Sequence, residues 1–188
     1  EVAKAAEIVS EMSRKYIAEN PTMKPFISSA CPSVVRLISI RFPNMLEHLI
    51  PIAAPIDLAA KEARKLAVEK TGLPSEKIGI IFITPCPAKV TAVKSPLGFH
   101  ASNVDAAVAI KDIYPKLLAN MKHNEKDSEE LTSSGKIGVS WGRSGGEAAG
   151  ILTDSYLAAD GIENVIRVLE DLEDQKFTSL EFIELNAC

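Results

Sequence analysis

The sequence has no closely spaced cysteines, no basic block and no long apolar run, and each absence removes a class of function. Three cysteines in 188 residues, Cys31, Cys86 and Cys188, are an odd number, and none lies near another. That argues against a disulfide framework and leaves reduced thiols or metal ligands. The 21 lysines and arginines are scattered among 25 acidic residues, never more than two together, for a net charge of −4. A nucleic-acid footprint needs clustered cations, so no nucleic-acid partner is expected. The longest uncharged apolar stretches, LIPIAAPI at 49–56 and IGIIFITPCPA at 78–88, contain prolines. Both fall far short of the ~20 residues a membrane-spanning helix needs. The first residues, EVAKAAEIVSEMSRKYIAEN, are charged and amphipathic, unlike a signal peptide. A soluble, cytoplasmic protein without a membrane partner is the expectation.

What is present is ordinary globular material, 46% hydrophobic and 24% charged. A chain of this size can bury roughly 70% of the surface its unfolded form exposes, and residues 1–188 read as a single domain. The chain begins at Glu1 without methionine and ends on Cys188 directly after an apolar run. Natural termini usually trail off in polar residues, so the chain reads as an excised fragment.

Apolar positions from Val2 to Ile17 recur at helical spacing and stop at Asn20-Pro21, which predicts a helix over 1–19. KPFISS follows as a short strand, and Cys31-Pro32 opens a helix through SVVRLISIRF, with proline at its first position. IDLAAKEARKLAVEKTG reads as a helix ending at Gly72. KIGIIFIT at 77–84 reads as a strand buried on both faces. VDAAVAI is a weaker strand running into a helix that carries Pro115, and residues 122–135 are polar enough for a flexible loop. KIGVSWG then reads as a strand, GRSGGEAAGILTDSYLAAD and GIENVIRVLEDLED as two helices, and LEFIELNAC as a last strand.

Strands separated by helices predict an α/β fold, a mainly parallel twisted sheet flanked by helices. Ligands of such sheets bind beyond the carboxyl ends of the strands. Cys31, Cys86, Cys188 and a glycine turn at Gly142, Ser144, Gly145 and Gly146 are all expected on that edge, which makes the turn a candidate cofactor-binding element. Grouped thiolates favour zinc, copper or an iron-sulfur cluster.

Each signal has a plainer reading. A cysteine ending a buried strand is often a small hydrophobe, and Lys89 alone reads as a solvated helix residue. SWGRSGGEAAG has neither GxGxxG nor GxxxxGK[ST] spacing. His48, His100 and His123 have no metal-ligand spacing, and Ser28 and Ser29 have no visible base partner.

Taken in order, SSACPSVVRLI, PIAAPIDLAAKEARKL, IFITPCPAKV, SGKIGVSWGRSGGEAAG and LEFIELNAC resemble the hydrogen-cluster domain of FeFe hydrogenases over almost the whole chain. The resemblance implies a four-iron, four-sulfur cubane ligated by Cys31, Cys86 and Cys188. It also implies a two-iron subsite carrying CO and cyanide, joined to the cubane through a fourth cysteine expected beyond Cys188. Lys89 matches the lysine that hydrogen-bonds a cyanide ligand. Ala30 stands where catalytic members have a proton-relaying cysteine, so slow turnover is implied. This wording is similar to the sensory branch, whose cluster domain feeds a signalling module.

The implied function is reversible binding or slow oxidation of H2 for sensing, in an anaerobic bacterium, with a ferredoxin-type electron donor or a signalling domain as partner. A competent hydrogenase with an altered proton path is the alternative, and a non-catalytic iron-sulfur assembly factor is a third reading. As a fragment with three of the four thiolates, the chain is expected to be inactive and to hold no cluster.

Overall fold

The computed structural model describes residues 2–97, 102–121 and 134–188. His100, His123 and most of the predicted loop at 122–135 lie outside them. The chain divides into two compact units, one formed by residues 1–55 and 134–188 and the other by residues 56–133.

The first unit is built on a parallel sheet of three strands, β1 (Phe26–Ile27), β5 (Phe182–Asn186) and β4 (Tyr156–Asp160), with β5 in the centre. Phe26 and Tyr156 both stand in register with Phe182. Side chains alternate along a strand, so each strand feeds both faces. Ile27, Ile183 and Leu185 pack with Val34 and Ile38 of α2 (Pro32–Arg41) and with Val165, Leu169 and Leu172 of α8 (Ile162–Glu173). Phe26 and Phe182 face the other way, onto Ile17 of α1 (Val2–Glu19) and Ala148 and Ile151 of α7 (Gly146–Ile151). Burial of each such side chain stabilises the fold by about 1.5–3 kcal/mol. Helices on both sides explain why Phe182 to Leu185 are all buried.

The second unit has two parallel strands, β2 (Ile81–Thr84) and β3 (Ala106–Ala109), joined through α4 (Pro87–Lys94) and flanked in sequence by α3 (Pro55–Thr71) and α5 (Ile110–Met121). Pro115 lies inside α5. A polar hub links the segments: Arg64 donates to the carbonyls of Ser75, Ile78 and Asn103 and to Asp105, whose carboxylate also accepts the Ile80 N–H. That N–H and the Arg64 guanidinium hold the Asp105 carboxyl below its ordinary value.

The parallel α/β architecture is as expected from sequence, and four local readings change. KIGVSWG is a helix, α6 (Lys136–Ser140), rather than a strand. It lies so close to α1 that a Cβ on Gly138 would stand 2.1 Å from the Ala3 carbonyl oxygen. The helix predicted over GRSGGEAAGILTDSYLAAD is only α7, ended by Leu152 in the left-handed conformation (φ 62°). Its tail is β4, because the edge of β5 offers backbone partners from Tyr156 to Asp160. The third change is in β2, which is shorter than predicted and not buried on both faces, with Ile81 63% and Ile83 47% exposed. Among the described residues it has one neighbouring strand, β3. Finally, the glycine turn follows α6 rather than a strand.

Candidate metal centre and its surroundings

Cys31 caps the N-terminus of α2 with extended backbone (φ −95°, ψ 108°), and Pro32 is the first helical residue. Its carbonyl accepts the Val35 N–H at 3.0 Å, the first intrahelical bond, and its side chain is buried. Cys86 repeats the arrangement at α4 (φ −92°, ψ 114°), with Pro87 following and the Val90 N–H on its carbonyl at 3.3 Å. Pro fits the first helical position because its fixed φ suits the helix and no hydrogen bond is lost there.

Cys188 follows β5 by two residues and is exposed. Since β1 and β5 are parallel neighbours, Cys31 and Cys188 share the carboxyl edge of one sheet, while Cys86 follows a strand of the other. All three are thiols rather than disulfide halves. Among the described residues, no three His, Cys, Asp or Glu side chains stand close enough to hold one metal ion. The donor set has the chemistry that iron-sulfur clusters use, and two of its three members are presented alike. Lys89 is half-buried in the first turn of α4, three residues beyond Cys86 and therefore on the same side of the helix.

The carboxylates near Cys31 and Cys188 were not legible in the sequence. Ser28, buried, donates to Glu147 Oε2 at 2.6 Å and accepts the Ala30 N–H at 3.1 Å. Glu147, at 7% exposure, belongs to α7. A cavity with about 10 Å³ for water centres is lined by Ser13, Ser29, Ala30 and Glu147 among others, which is room for one water molecule. A larger groove of about 460 Å³ between Arg14, Lys24, Leu152 and Glu181 contains none of the cysteines.

Glu184, two residues from Phe182 on the α7 face, accepts N–H groups from Gly145 at 3.1 Å and Ala148 at 2.8 Å and the Asn186 amide at 3.1 Å. Burial pushes its carboxyl above the ordinary value despite these donors, and Asp160 adds to the rise. Gly145 adopts φ 71° to aim its N–H there, a conformation suited to glycine. The one visible signal was a charged residue inside the apolar run EFIEL. His48 donates its ring N–H to the Pro25 carbonyl at 2.8 Å, a structural bond.

A family model described as the iron only hydrogenase large subunit, C-terminal domain, matches residues 1–156. The chain belongs to this family.

The iron only hydrogenase relatives agree in fold. The chain is 27% identical over 97 residues to the NADP-reducing hydrogenase subunit HndD of Solidesulfovibrio fructosivorans, a match covering 51% of this chain and 17% of that protein. Its structure is similar to HydA, solved in a study of stepwise H-cluster assembly in [FeFe]-hydrogenase, with a TM-score of 0.71 and 13% identity, covering 100% of this chain and 65% of that one. A variant of [FeFe]-hydrogenase HydA1 from Chlamydomonas reinhardtii gives a TM-score of 0.71 at 14% identity, covering 100% and 66%. The chain thus spans just under two thirds of these solved relatives. It is an FeFe-hydrogenase-like H-cluster domain in family and fold, and no described helix is long and apolar enough to cross a membrane.

Proposed function

We propose that this chain is the cluster-bearing part of a protein that binds hydrogen, or oxidises it slowly and reversibly, in a sensing role in the cytoplasm of an anaerobic bacterium. The observation that supports it most is the shared presentation of Cys31 and Cys86, each capping a helix behind a strand with proline next. Cys31, Cys86 and Cys188 would hold a four-iron cubane. When bound with its two-iron partner, that group would supply the iron at which hydrogen binds and would accept the electrons that its oxidation releases.

Lys89 supplies a cationic donor to an anionic ligand, a charge-assisted hydrogen bond. Gly142, Ser144, Gly145 and Gly146 would form a cofactor-binding turn, in which the Gly145 N–H engages Glu184. The electron partner is a ferredoxin-type donor or a signalling domain. Ala30 carries no proton, and this limits the rate.

The alternative of a competent hydrogenase with an altered proton path gains support from one observation. Ser28 joins the Ala30 N–H to the Glu147 carboxyl, and the one-water cavity lies beside both residues. Glu147 can hold a proton and pass it through Ser28 or through that water toward Ala30.

Iron and sulfide per chain, measured after anaerobic reconstitution of the full-length protein beside Cys86→Ser, test the cluster reading. About four irons falling clearly in the variant is the expected result. Equal iron in both refutes it. Hydrogen turnover then separates the two functions. In the sensing reading Ala30→Cys raises turnover, by roughly 10²-fold if relay is the limit. With an existing path through Glu147, Ala30→Cys changes little and Glu147→Gln lowers turnover.

A further inference from the structure

Between Thr84 and Ala88 the chain reads T-P-C-P-A. Pro85 and Pro87 have no N–H, so the Cys86 amide is the one backbone donor between the two ends of that stretch. It donates to Thr84 Oγ1 at 3.1 Å. Thr84 is the one buried residue of β2, at 1% exposure, where water cannot readily replace its hydroxyl. With the Cys86 carbonyl held by Val90 N–H, the peptide groups on both sides of the thiol are fixed.

The other unit has a related turn, in which the hydroxyl engages the residue before the cysteine rather than the cysteine itself. Ser28, 2% exposed, takes the Ala30 N–H, and the Cys31 carbonyl takes the Val35 N–H. The same hydroxyl turn occurs at Ser102 and Thr153, each accepting at 3.2 Å. Those residues are only half-buried and lead into β3 and β4 rather than to a cysteine. Burial and a following Cys-Pro distinguish Ser28 and Thr84.

We propose that Thr84 is a positioning residue for Cys86. Its hydroxyl engages the Cys86 N–H, which sets the direction in which the thiolate meets iron and keeps that N–H from turning toward sulfur. This rests on the reading of Cys86 as an iron ligand. Partners that orient a metal ligand are commonly worth 10- to 100-fold in metal affinity. Hydrogen bonds to cluster sulfurs set the reduction potential. An N–H released toward sulfur stabilises the more negative, reduced cluster and so raises the potential.

The test compares the full-length protein with Thr84→Val, which keeps the branched shape and loses the hydroxyl, with Thr84→Ser, which keeps the hydroxyl, and with Cys86→Ser. Each is reconstituted anaerobically with iron and sulfide. Iron retention against a chelator, the electron paramagnetic resonance spectrum and the midpoint potential of the reduced cluster are then measured. In Thr84→Val a loss of retention of about tenfold and a higher potential are expected, with Thr84→Ser close to the parent. Should Thr84→Val misfold by circular dichroism, Thr84→Ala against Thr84→Ser makes the same comparison. Native retention and potential without the hydroxyl, while Cys86→Ser loses iron, overturn the positioning role alone. Full retention in Cys86→Ser overturns the ligand reading, and this inference with it.

Discussion

The two units carry one ligand-presenting turn on very different foundations. In the first, β1 is wholly buried, and both apolar clusters found among the described residues belong to that unit. In the second, β2 exposes Ile81 and Ile83, α5 has no buried residue, and the segments meet at the Arg64–Asp105 hub. Yet Cys31 and Cys86 adopt φ and ψ within a few degrees of each other. The cysteine followed by proline at a helix start is therefore a local device. It does not need a large core beneath it.

Removing core mass should break this contrast most sharply. Leu169→Ala empties a fully buried site in the first unit and should cost about 2–5 kcal/mol, read as a lower midpoint in denaturant. A native midpoint would mean that the first unit's core does not carry its stability.

Next in size is Ser28→Ala, which removes one donor to buried Glu147 and the acceptor of the Ala30 N–H. A loss of about 1–3 kcal/mol is expected, again from the denaturation midpoint. Thr84→Ser, which retains its hydroxyl, provides the matching control in the second unit.

The carboxylates flanking and within β5 sharpen the comparison through pH. Burial raises Glu184 above 4.5, so the folded chain binds that proton more tightly than the unfolded one. Its contribution is full below the ordinary value and is lost as pH rises through the folded value. Glu181 is opposite: hydrogen bonds from Lys24 and Thr153 hold it below 4.5, so its contribution is present above that value and is lost as pH falls. Denaturation midpoints across this range should show Glu184→Gln flattening the decline on the alkaline side and Glu181→Gln flattening it on the acid side. An unchanged profile in Glu184→Gln would refute its raised proton affinity.

Ile81→Ser should have the smallest effect, within about 0.5 kcal/mol, because that side chain is 63% exposed. A loss comparable to Leu169→Ala would show that the β2 face is covered in solution.

Much of this was legible in the chain itself. Helical spacing marked α1, α3 and α8, and the apolar runs before Cys31, Cys86 and Cys188 marked the strands they follow. The Cys31-Pro32 pair marked the start of α2, since proline's constraint acts on its immediate neighbours, whereas the start of α4 behind Cys86 was not read. Pairings between distant residues were not legible. Ser28 and Glu147 are 119 positions apart, and nothing local in SSAC or GGEA announces their contact. Alanine-rich YLAAD favours a helix by itself, and it became β4 because β5 offered it a hydrogen-bonded edge. KIGVS has strand-like residues, and close approach to α1 at Gly138 made it helical instead.

The sequence alone thus determined the parallel α/β class, the helix start behind Cys31 and the order of the motifs, because these follow from periodicity and from bonds within a few residues. Only the tertiary structure decided that the strands form two sheets, that the glycine turn serves Glu184, and that Glu147 lies beside Ser28. Those outcomes depend on which backbone edges and buried polar groups meet across long stretches of chain, where burial leaves a polar group little choice but the partner that the fold supplies.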